Sequence, residues 1–150
     1  MEIQDKYETL RLENQLCFPL YACAKEIVRQ YRKPLEELNL TYTQYVVMMV
    51  LWEHGDITEG ELGKIVHLDS GTLAPLLKRL EKQGYINRIR QKNNERRLCL
   101  SLTETGHALK DKATGVPEAM HGCIDLPEEE LLQLKCLLDK ALVKMNVKQQ

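Results

Sequence analysis

One cysteine near the start of the chain is spaced from three tyrosines in a way that suits thiol chemistry. Cys17 stands two residues before Pro19, and Tyr21, Tyr31 and Tyr42 follow it. A cysteine attacks a peroxide as its thiolate, and tyrosine hydroxyls or a nearby helix N-terminus can stabilise that anion. Tyr21 shares a helix face with Cys17 if a helix continues through Pro19, and can then support the thiol. Cys17 is therefore a candidate redox sensor.

Tyr31 is too far along the chain to reach Cys17 within one subunit. The 14 residues between them span about 21 Å if they form a helix that rises about 1.5 Å per residue. In a two-fold dimer with crossing N-terminal helices, Tyr31 of one copy could meet Cys17 of the other. Without such a dimer, Cys17 is more simply a packing thiol, and Tyr31 and Tyr42 are ordinary interface tyrosines.

Charge is distributed unevenly along an otherwise ordinary chain. The 150 residues carry a net charge of -1 and are 43% hydrophobic, as is typical of a single globular domain. Between residues 78 and 97, however, the chain has eight Lys and Arg residues and only two acidic ones, which gives a local charge of +6. A solvated face would explain the charges alone, whereas a basic block in a neutral chain is also typical of a nucleic-acid surface.

Cysteine usage and hydropathy bound the compartment and the cofactors. The five cysteines form no CxxC pair, which favours reduced thiols in the cytosol over a secreted disulfide scaffold. No apolar run is long enough to cross a bilayer, and the polar N-terminus has no signal-peptide core. We therefore expect a cytoplasmic protein without a membrane partner. The cysteine and histidine spacings match no metal site, and no cofactor is expected.

Hydrophobic periodicity and capping signals predict a mainly α chain with a small β-hairpin. Pro19 either kinks the first helix or marks its true start. Thr41 and Thr58 each open a capping box, and the helix after Asp69 begins there or at Thr72. The predicted helices cover about residues 10–38, 41–53, 58–67, 69–84, 103–121 and 127–145. The predicted strands, 85–90 and 97–102, are joined by a basic tip at 91–95.

This order of elements is that of a winged helix-turn-helix. The second helix of the pair is slim enough to enter the major groove of DNA, and small groups at its exposed start can approach base edges. Lys78 and Arg79 can reach phosphate or guanine, and the hairpin carries Arg96 over the adjacent backbone or minor groove. Residues 41–102 are expected to form this DNA-binding lobe.

Four stretches resemble a known family. "LTYTQYVVMMVLWE", "LDSGTLAPLLKRLEKQGYI" and "LSLTETG" are similar to the MarR family of regulators, and "LENQLCFPLYACAKEI" resembles its organic-hydroperoxide-responsive OhrR branch. The resemblance implies one 150-residue domain that forms a homodimer through residues 1–40 and 103–150 and reads a palindromic operator in double-stranded DNA. The implied DNA contacts lie on the second helix of the pair and on the hairpin: Asp69, Ser70, Thr72, Pro75, Lys78, Arg79, Arg88, Arg90, Asn94 and Arg96. Asn94 replaces the aspartate usual in the family's wing.

The same resemblance assigns roles in sensing. In the OhrR branch the peroxidatic cysteine bonds two tyrosines of the partner subunit, which match Tyr31 and Tyr42. Cys123, in a predicted loop, looks like the resolving cysteine of the two-cysteine subgroup. The implied function is a repressor that leaves its operator when an organic hydroperoxide oxidises Cys17. A low-molecular-weight thiol that caps Cys17 is the alternative to Cys123.

Two other functions remain open at this point. A thiol peroxidase would turn over repeatedly with a dithiol reductant, but the chain lacks the alternating strands and helices of a thioredoxin-like fold. The other is a regulator of the same fold that responds to phenolic ligands or to general redox or virulence signals, with Cys17 structural or differently modified. An unaltered hydroperoxide response in Cys17→Ser would indicate it. We expect a regulator rather than an enzyme.

Overall fold

The computed structural model describes residues 6–147, apart from the side chains of four of them, 95, 96, 146 and 147. The helices are α1 (Cys17–Glu36), α2 (Tyr42–His54), α3 (Glu59–Val66), α4 (Ser70–Lys82), α5 (Glu104–Ala113), α6 (Gly115–Ala119) and α7 (Glu128–Val147). The strands are β1 (Ile57–Thr58), β2 (Ile86–Gln91) and β3 (Asn94–Leu102). The prediction of a mainly α winged helix-turn-helix is confirmed.

The first helix begins at Cys17, so the predicted start near residue 10 is wrong. Two short 3-10 turns, Glu8–Leu10 and Leu12–Asn14, occupy the preceding segment. Pro19 lies in the first turn of α1, where its missing N–H is one that the helix leaves unpaired in any case. Pro19 therefore marks the helix start and does not kink it.

Side-chain caps fix the starts of the next three helices. Both predicted capping boxes are confirmed, because Thr41 and Gln44, like Thr58 and Glu61, exchange side-chain and backbone hydrogen bonds. Asp69 caps α4, so this helix begins at Ser70 and not at Thr72. Pro75 consequently lies in the second turn of α4.

The hairpin belongs to a three-stranded antiparallel sheet of order β1-β3-β2. The predicted five-residue tip at 91–95 is wrong, since Gln91 already pairs with Asn94 and an irregularity follows Arg90. The third strand, β1, was not predicted. Its two residues are too few to show a period of two, and they become a strand by pairing with Leu100 and Cys99.

The helix predicted over residues 103–121 is divided into α5 and α6. Pro117 cannot donate the backbone hydrogen bond that the carbonyl of Ala113 would otherwise accept, so the helix is interrupted there. Thr114, at the break, donates its hydroxyl to the carbonyl oxygen of Asp111 at 2.7 Å. The last helix begins directly after Pro127, as predicted.

The chain forms two compact units, Met1–Met120 and His121–Gln150. The core of the first lies where α1 to α4 and the sheet meet, and ten of its side chains are almost fully buried. These are Leu35, Val47, Met48, Leu51, Leu62, Leu73, Leu77, Leu80, Ile86 and Leu100. Within residues 6–147, no helix has both the length and the apolar character needed to cross a membrane.

Candidate functional site

The second helix of the helix-turn-helix, α4, has one buried and one exposed face. Leu73, Leu77 and Leu80 pack into the core at helical spacing. The opposite face is open to solvent and carries five of the predicted DNA contacts: Ser70, Thr72, Pro75, Lys78 and Arg79. We call α4 the recognition helix from here on. Its face combines small groups near the N-terminus with cations further along, as insertion into a major groove requires.

Asp69 acts on the helix start. Its carboxylate accepts hydrogen bonds from the backbone N–H of Thr72 at 2.8 Å and from the Thr72 hydroxyl at 3.2 Å. These two bonds, the backbone one foremost, hold the pKa of Asp69 below its usual value. The carboxylate thus shapes the recognition helix in the absence of DNA, and its predicted contact with DNA stays a prediction.

The wing, defined as β2, β3 and the turn between them, presents several cations. Arg90, Lys92 and Arg97 are exposed, and so is the neutral side chain of Asn94. The side chain of Arg96, a predicted contact, lies outside the described residues. Lys92 and Arg97 were counted in the basic block but not among the predicted contacts. Their exposure beside Arg90 makes them further candidates for phosphate contacts.

Arg88 differs from the other basic residues of the wing. Its side chain is only 16% exposed, and one guanidinium nitrogen lies 3.3 Å from a carboxylate oxygen of Glu81 on the recognition helix. Its Nε is the one buried side-chain nitrogen or oxygen without a hydrogen-bond partner in the described part of the chain. Arg88 lies two residues after the buried Ile86, on the same face of β2. The alternation of side chains along a strand could therefore have indicated that the Arg88 side chain points toward the core. Arg88 thus ties β2 to the recognition helix.

Cys17 is the first residue of α1 and is exposed, between the exposed side chains of Leu16 and Phe18. No side chain makes a capping hydrogen bond at the start of α1. Tyr21, one turn on, is also exposed.

Tyr31 and Tyr42 form a pair within one chain. Their ring centroids are 4.7 Å apart with an interplanar angle of 47°, and both side chains are half-buried. Tyr45 lies behind them, 6.0 Å from Tyr31, and its burial raises the pKa of its hydroxyl. Because α1 is continuous from Cys17 to Glu36, Cys17 and Tyr31 of one chain remain about 21 Å apart along the helix.

The other thiols lie on different elements. Cys123 is half-buried in the second unit, between α6 and α7, and Cys136 is exposed on α7. Cys23 is exposed on α1, and Cys99 is half-buried on β3. Across residues 6–147, no three His, Cys, Asp or Glu side chains are grouped in a way that could hold a metal ion.

Comparison with known proteins gives a consistent result. The profile of a family described as "Transcriptional regulator SarA/Rot" matches residues 29–113, more than half of the chain. The organic hydroperoxide resistance transcriptional regulator of Bacillus subtilis (strain 168) is 44% identical over 146 residues, which are 97% of this chain and 99% of that protein.

Solved structures agree with the sequence matches. AbfR is a protein of Staphylococcus epidermidis. Its reduced form bound to DNA superposes on this chain with a TM-score of 0.75 at 36% identity, over 95% of this chain and 99% of AbfR. AbfR is also known overoxidised on DNA and with a disulfide formed. A mutant MarR of E. coli with operator DNA has a TM-score of 0.76 at 27% identity, over 85% of this chain and 93% of MarR. The chain belongs to the MarR family of DNA-binding transcriptional regulators, and it is therefore a regulator and not a thiol peroxidase.

Proposed function

We propose that this chain is a homodimeric repressor that releases its operator when an organic hydroperoxide oxidises Cys17. One observation carries the proposal. Tyr31 and Tyr42 form a half-buried pair, while the exposed Cys17 of the same chain lies about 21 Å from Tyr31 along α1. A site that combines the thiol with both hydroxyls then needs Cys17 of the partner subunit.

The names and states of the relatives support the chemistry. The Bacillus subtilis relative is named for organic hydroperoxide resistance. AbfR has been captured reduced on DNA and, in separate structures, overoxidised and with a disulfide. A relative that exists in these states carries a thiol that oxidants modify, and we extend that property to Cys17 of this chain.

The proposed reaction begins with the Cys17 thiolate. Its sulfur attacks the terminal oxygen of the hydroperoxide, the O–O bond breaks, and the alcohol leaves with a proton from solvent, which gives a sulfenic acid. The exposed apolar side chains of Leu16 and Phe18 flank the thiol and favour hydroperoxides with an apolar group over hydrogen peroxide. The Tyr31 and Tyr42 hydroxyls of the partner donate hydrogen bonds to the sulfur.

A second thiol converts the sulfenic acid into a lasting change. We assign this role to Cys123 of the partner subunit, whose thiol condenses with the sulfenic acid to a disulfide and water. Its position in the connection before α7 is compatible with access. Cys17→Ser and Cys123→Ser should each abolish an oxidant-dependent covalent dimer on a non-reducing gel. A mixed disulfide with a small thiol in wild-type protein would assign the resolving step to that thiol.

The DNA side of the proposal rests on two charged surfaces. In each subunit the recognition helix enters the major groove and the wing lies over the neighbouring backbone, so that a dimer reads two half-sites of a palindrome. Residues 1–40 and 103–150 hold the subunits together. Both segments expose large apolar side chains that a partner would cover. They include Leu10, Leu12, Leu16, Phe18, Leu20 and Val28 before residue 40, and Leu132, Leu137, Leu138, Leu142, Val143 and Met145 on α7.

A mixed dimer tests whether the site is shared between subunits. One subunit carries Cys17→Ser, and the other carries Tyr31→Phe with Tyr42→Phe. If the site is shared, the mixed dimer contains one complete site, and half of the wild-type number of Cys17 thiols reacts at the wild-type rate with cumene hydroperoxide. If the site lies within one chain, neither subunit is complete and Cys17 reacts as slowly as in the double-phenylalanine homodimer.

The two parent homodimers are the matched controls. Oxidation of Cys17 is followed by tandem mass spectrometry of the tryptic peptide 12–25, in which fragment ions separate Cys17 from Cys23; the other three thiols lie on other peptides. Both parents should bind operator DNA like the wild type in the reduced state. A slow mixed dimer beside a fast wild type contradicts the proposed site.

A further inference from the structure

Gln44, on the first turn of α2, is a buried side chain with polar partners on two sides. It is 5% exposed and is the one buried polar side chain among the residues that the structure describes. Its Oε1 accepts a hydrogen bond from the backbone N–H of Thr41 at 2.9 Å, and its Nε2 donates to Oε1 of Gln83 at 3.3 Å. The first bond belongs to the capping box of α2. The second joins Gln44 to a residue outside the capping box, at the C-terminal end of the recognition helix.

Gln83 is the C-cap of the recognition helix and continues the connection. Its backbone N–H donates to the carbonyl of Arg79 at 2.9 Å, and its side-chain Nε2 donates to the carbonyl of Asn39 at 2.7 Å. Nearby, the Tyr85 hydroxyl donates to the carbonyl of Leu38 at 3.1 Å. The loop between α1 and α2 is therefore bonded to the end of the recognition helix and to the residue before β2.

The same loop adjoins the tyrosine pair. Tyr42 is the first residue of α2, directly after the Thr41 cap, and its ring packs on Tyr31. Tyr42 and Arg79 also line one open cavity of about 920 Å³. Tyr42 lies between Thr41 and Gln44, the two residues that form the capping box of α2.

We propose that Gln44 and Gln83 are positioning residues that couple the Tyr31–Tyr42 pair to the recognition helix. The proposal rests on the proposed function, because it names the path by which oxidation at Cys17 changes DNA binding. Gln44 and Gln83 are expected to move together, since breaking the bond between them leaves the buried amide of Gln44 without that partner. When Tyr42 moves, the pair carries the displacement to Gln83 and so to the backbone at Arg79.

Gln83→Met tests the coupling, because methionine keeps the length of the side chain and removes both of its hydrogen bonds. Gln133→Met, the same substitution at an exposed glutamine of α7, is the control. For each dimer, the operator Kd is measured by fluorescence anisotropy in the reduced state and after cumene hydroperoxide. The ratio of oxidised to reduced Kd is the readout, with Cys17 oxidation followed by mass spectrometry and Tm recorded alongside.

If Gln44 and Gln83 form this coupling, called the relay below, the ratio of oxidised to reduced Kd should be at least about fivefold smaller in Gln83→Met than in wild type. Cys17 should be oxidised at the wild-type rate in both proteins. Gln133→Met should keep the wild-type ratio. Gln83→Glu, which accepts from Gln44 but cannot donate to Asn39, should give an intermediate ratio and serves if the methionine variant does not fold. A ratio within twofold of wild type in Gln83→Met overturns the relay, whether or not the reduced affinity falls. A wild-type ratio near one refutes the proposed function itself, and the relay with it.

Discussion

Arg88→Met and Arg90→Met form a matched pair that separates a structural arginine from one that meets DNA. The two residues are two apart on β2, so substitution places the same side chain on the same strand face. Arg90 is exposed, whereas Arg88 is 16% exposed in its side chain and faces Glu81 on the recognition helix at 3.3 Å. Of these two arginines, we expect the exposed Arg90 to be the one that contacts a phosphate. Its removal should therefore change how affinity depends on salt.

The size of the change follows from counterion release. Each phosphate that a cation neutralises contributes about -0.9 to the slope of log K against log salt on duplex DNA. A symmetric dimer loses two such contacts in Arg90→Met, so the slope should become shallower by about 2. Arg88→Met should leave the slope within about 0.5 of wild type, although affinity at a single salt concentration can fall if the recognition helix shifts. Loss of the partly exposed Arg88–Glu81 pair should cost about 1 kcal/mol of stability or less.

The assay is a fluorescence-anisotropy titration of reduced protein on operator DNA at five salt concentrations between 50 and 300 mM, with the Tm of each variant measured in parallel. Lys135→Met, an exposed cation of α7 that pairs with Asp139, is the control for a general loss of charge. If Arg88→Met lowers the slope as much as Arg90→Met does, Arg88 leaves Glu81 to contact DNA, and the structural role assigned to it is refuted.

Two predictions concern the folded state. In Gly106→Ala the new Cβ would overlap the carbonyl oxygen of Tyr85, so we expect the free energy of unfolding in a denaturant melt to fall by about 3 kcal/mol. Gly60→Ala, whose Cβ enters open space, should be neutral or stabilising. Equal effects of the two substitutions would contradict the close packing at Gly106. Thr58→Ala should cost about 1 kcal/mol near neutral pH because it removes a helix cap. The hydrogen bond from the Thr58 hydroxyl is the main cause that lowers the pKa of Glu61. The stabilisation that this bond to the Glu61 carboxylate gives the folded state is present above the ordinary carboxyl pKa and is lost as pH falls through the lowered pKa. The difference between wild type and Thr58→Ala should therefore shrink in acid; a pH-independent difference would show that Glu61 takes no part.

Local signals in the sequence predicted much of the fold. The capping boxes at Thr41 and Thr58 lie within four residues each, and the recognition helix shows its leucine stripe directly. The strand β1 was missed because it exists only through pairing with β3, about 40 residues later. The break between α5 and α6 was missed although Pro117 signals it, because the apolar periodicity continues across the interruption.

The candidate site divides in the same way. The exposed face of the recognition helix follows from its period, and the distance from Cys17 to Tyr31 follows from helix geometry. The pairing of Tyr31 with Tyr42 depends on how α1 packs on α2, which no local pattern specifies. The bond from Gln44 to Gln83 joins residues 39 positions apart and needs the tertiary fold. Capping explained Gln44 only in part, since its second partner lies on another element.

Oxidation by a single equivalent of cumene hydroperoxide tests most directly whether Cys17 is the sensor. Operator DNA from upstream of the chain's own gene is titrated with reduced wild type and with Cys17→Ser, before and after the oxidant, by fluorescence anisotropy. If Cys17 is the sensor, both reduced proteins bind tightly and with salt sensitivity, oxidation abolishes binding in wild type alone, and dithiothreitol restores it. Tight binding by wild type that one equivalent of oxidant leaves unchanged would contradict the assignment of Cys17 as the sensor.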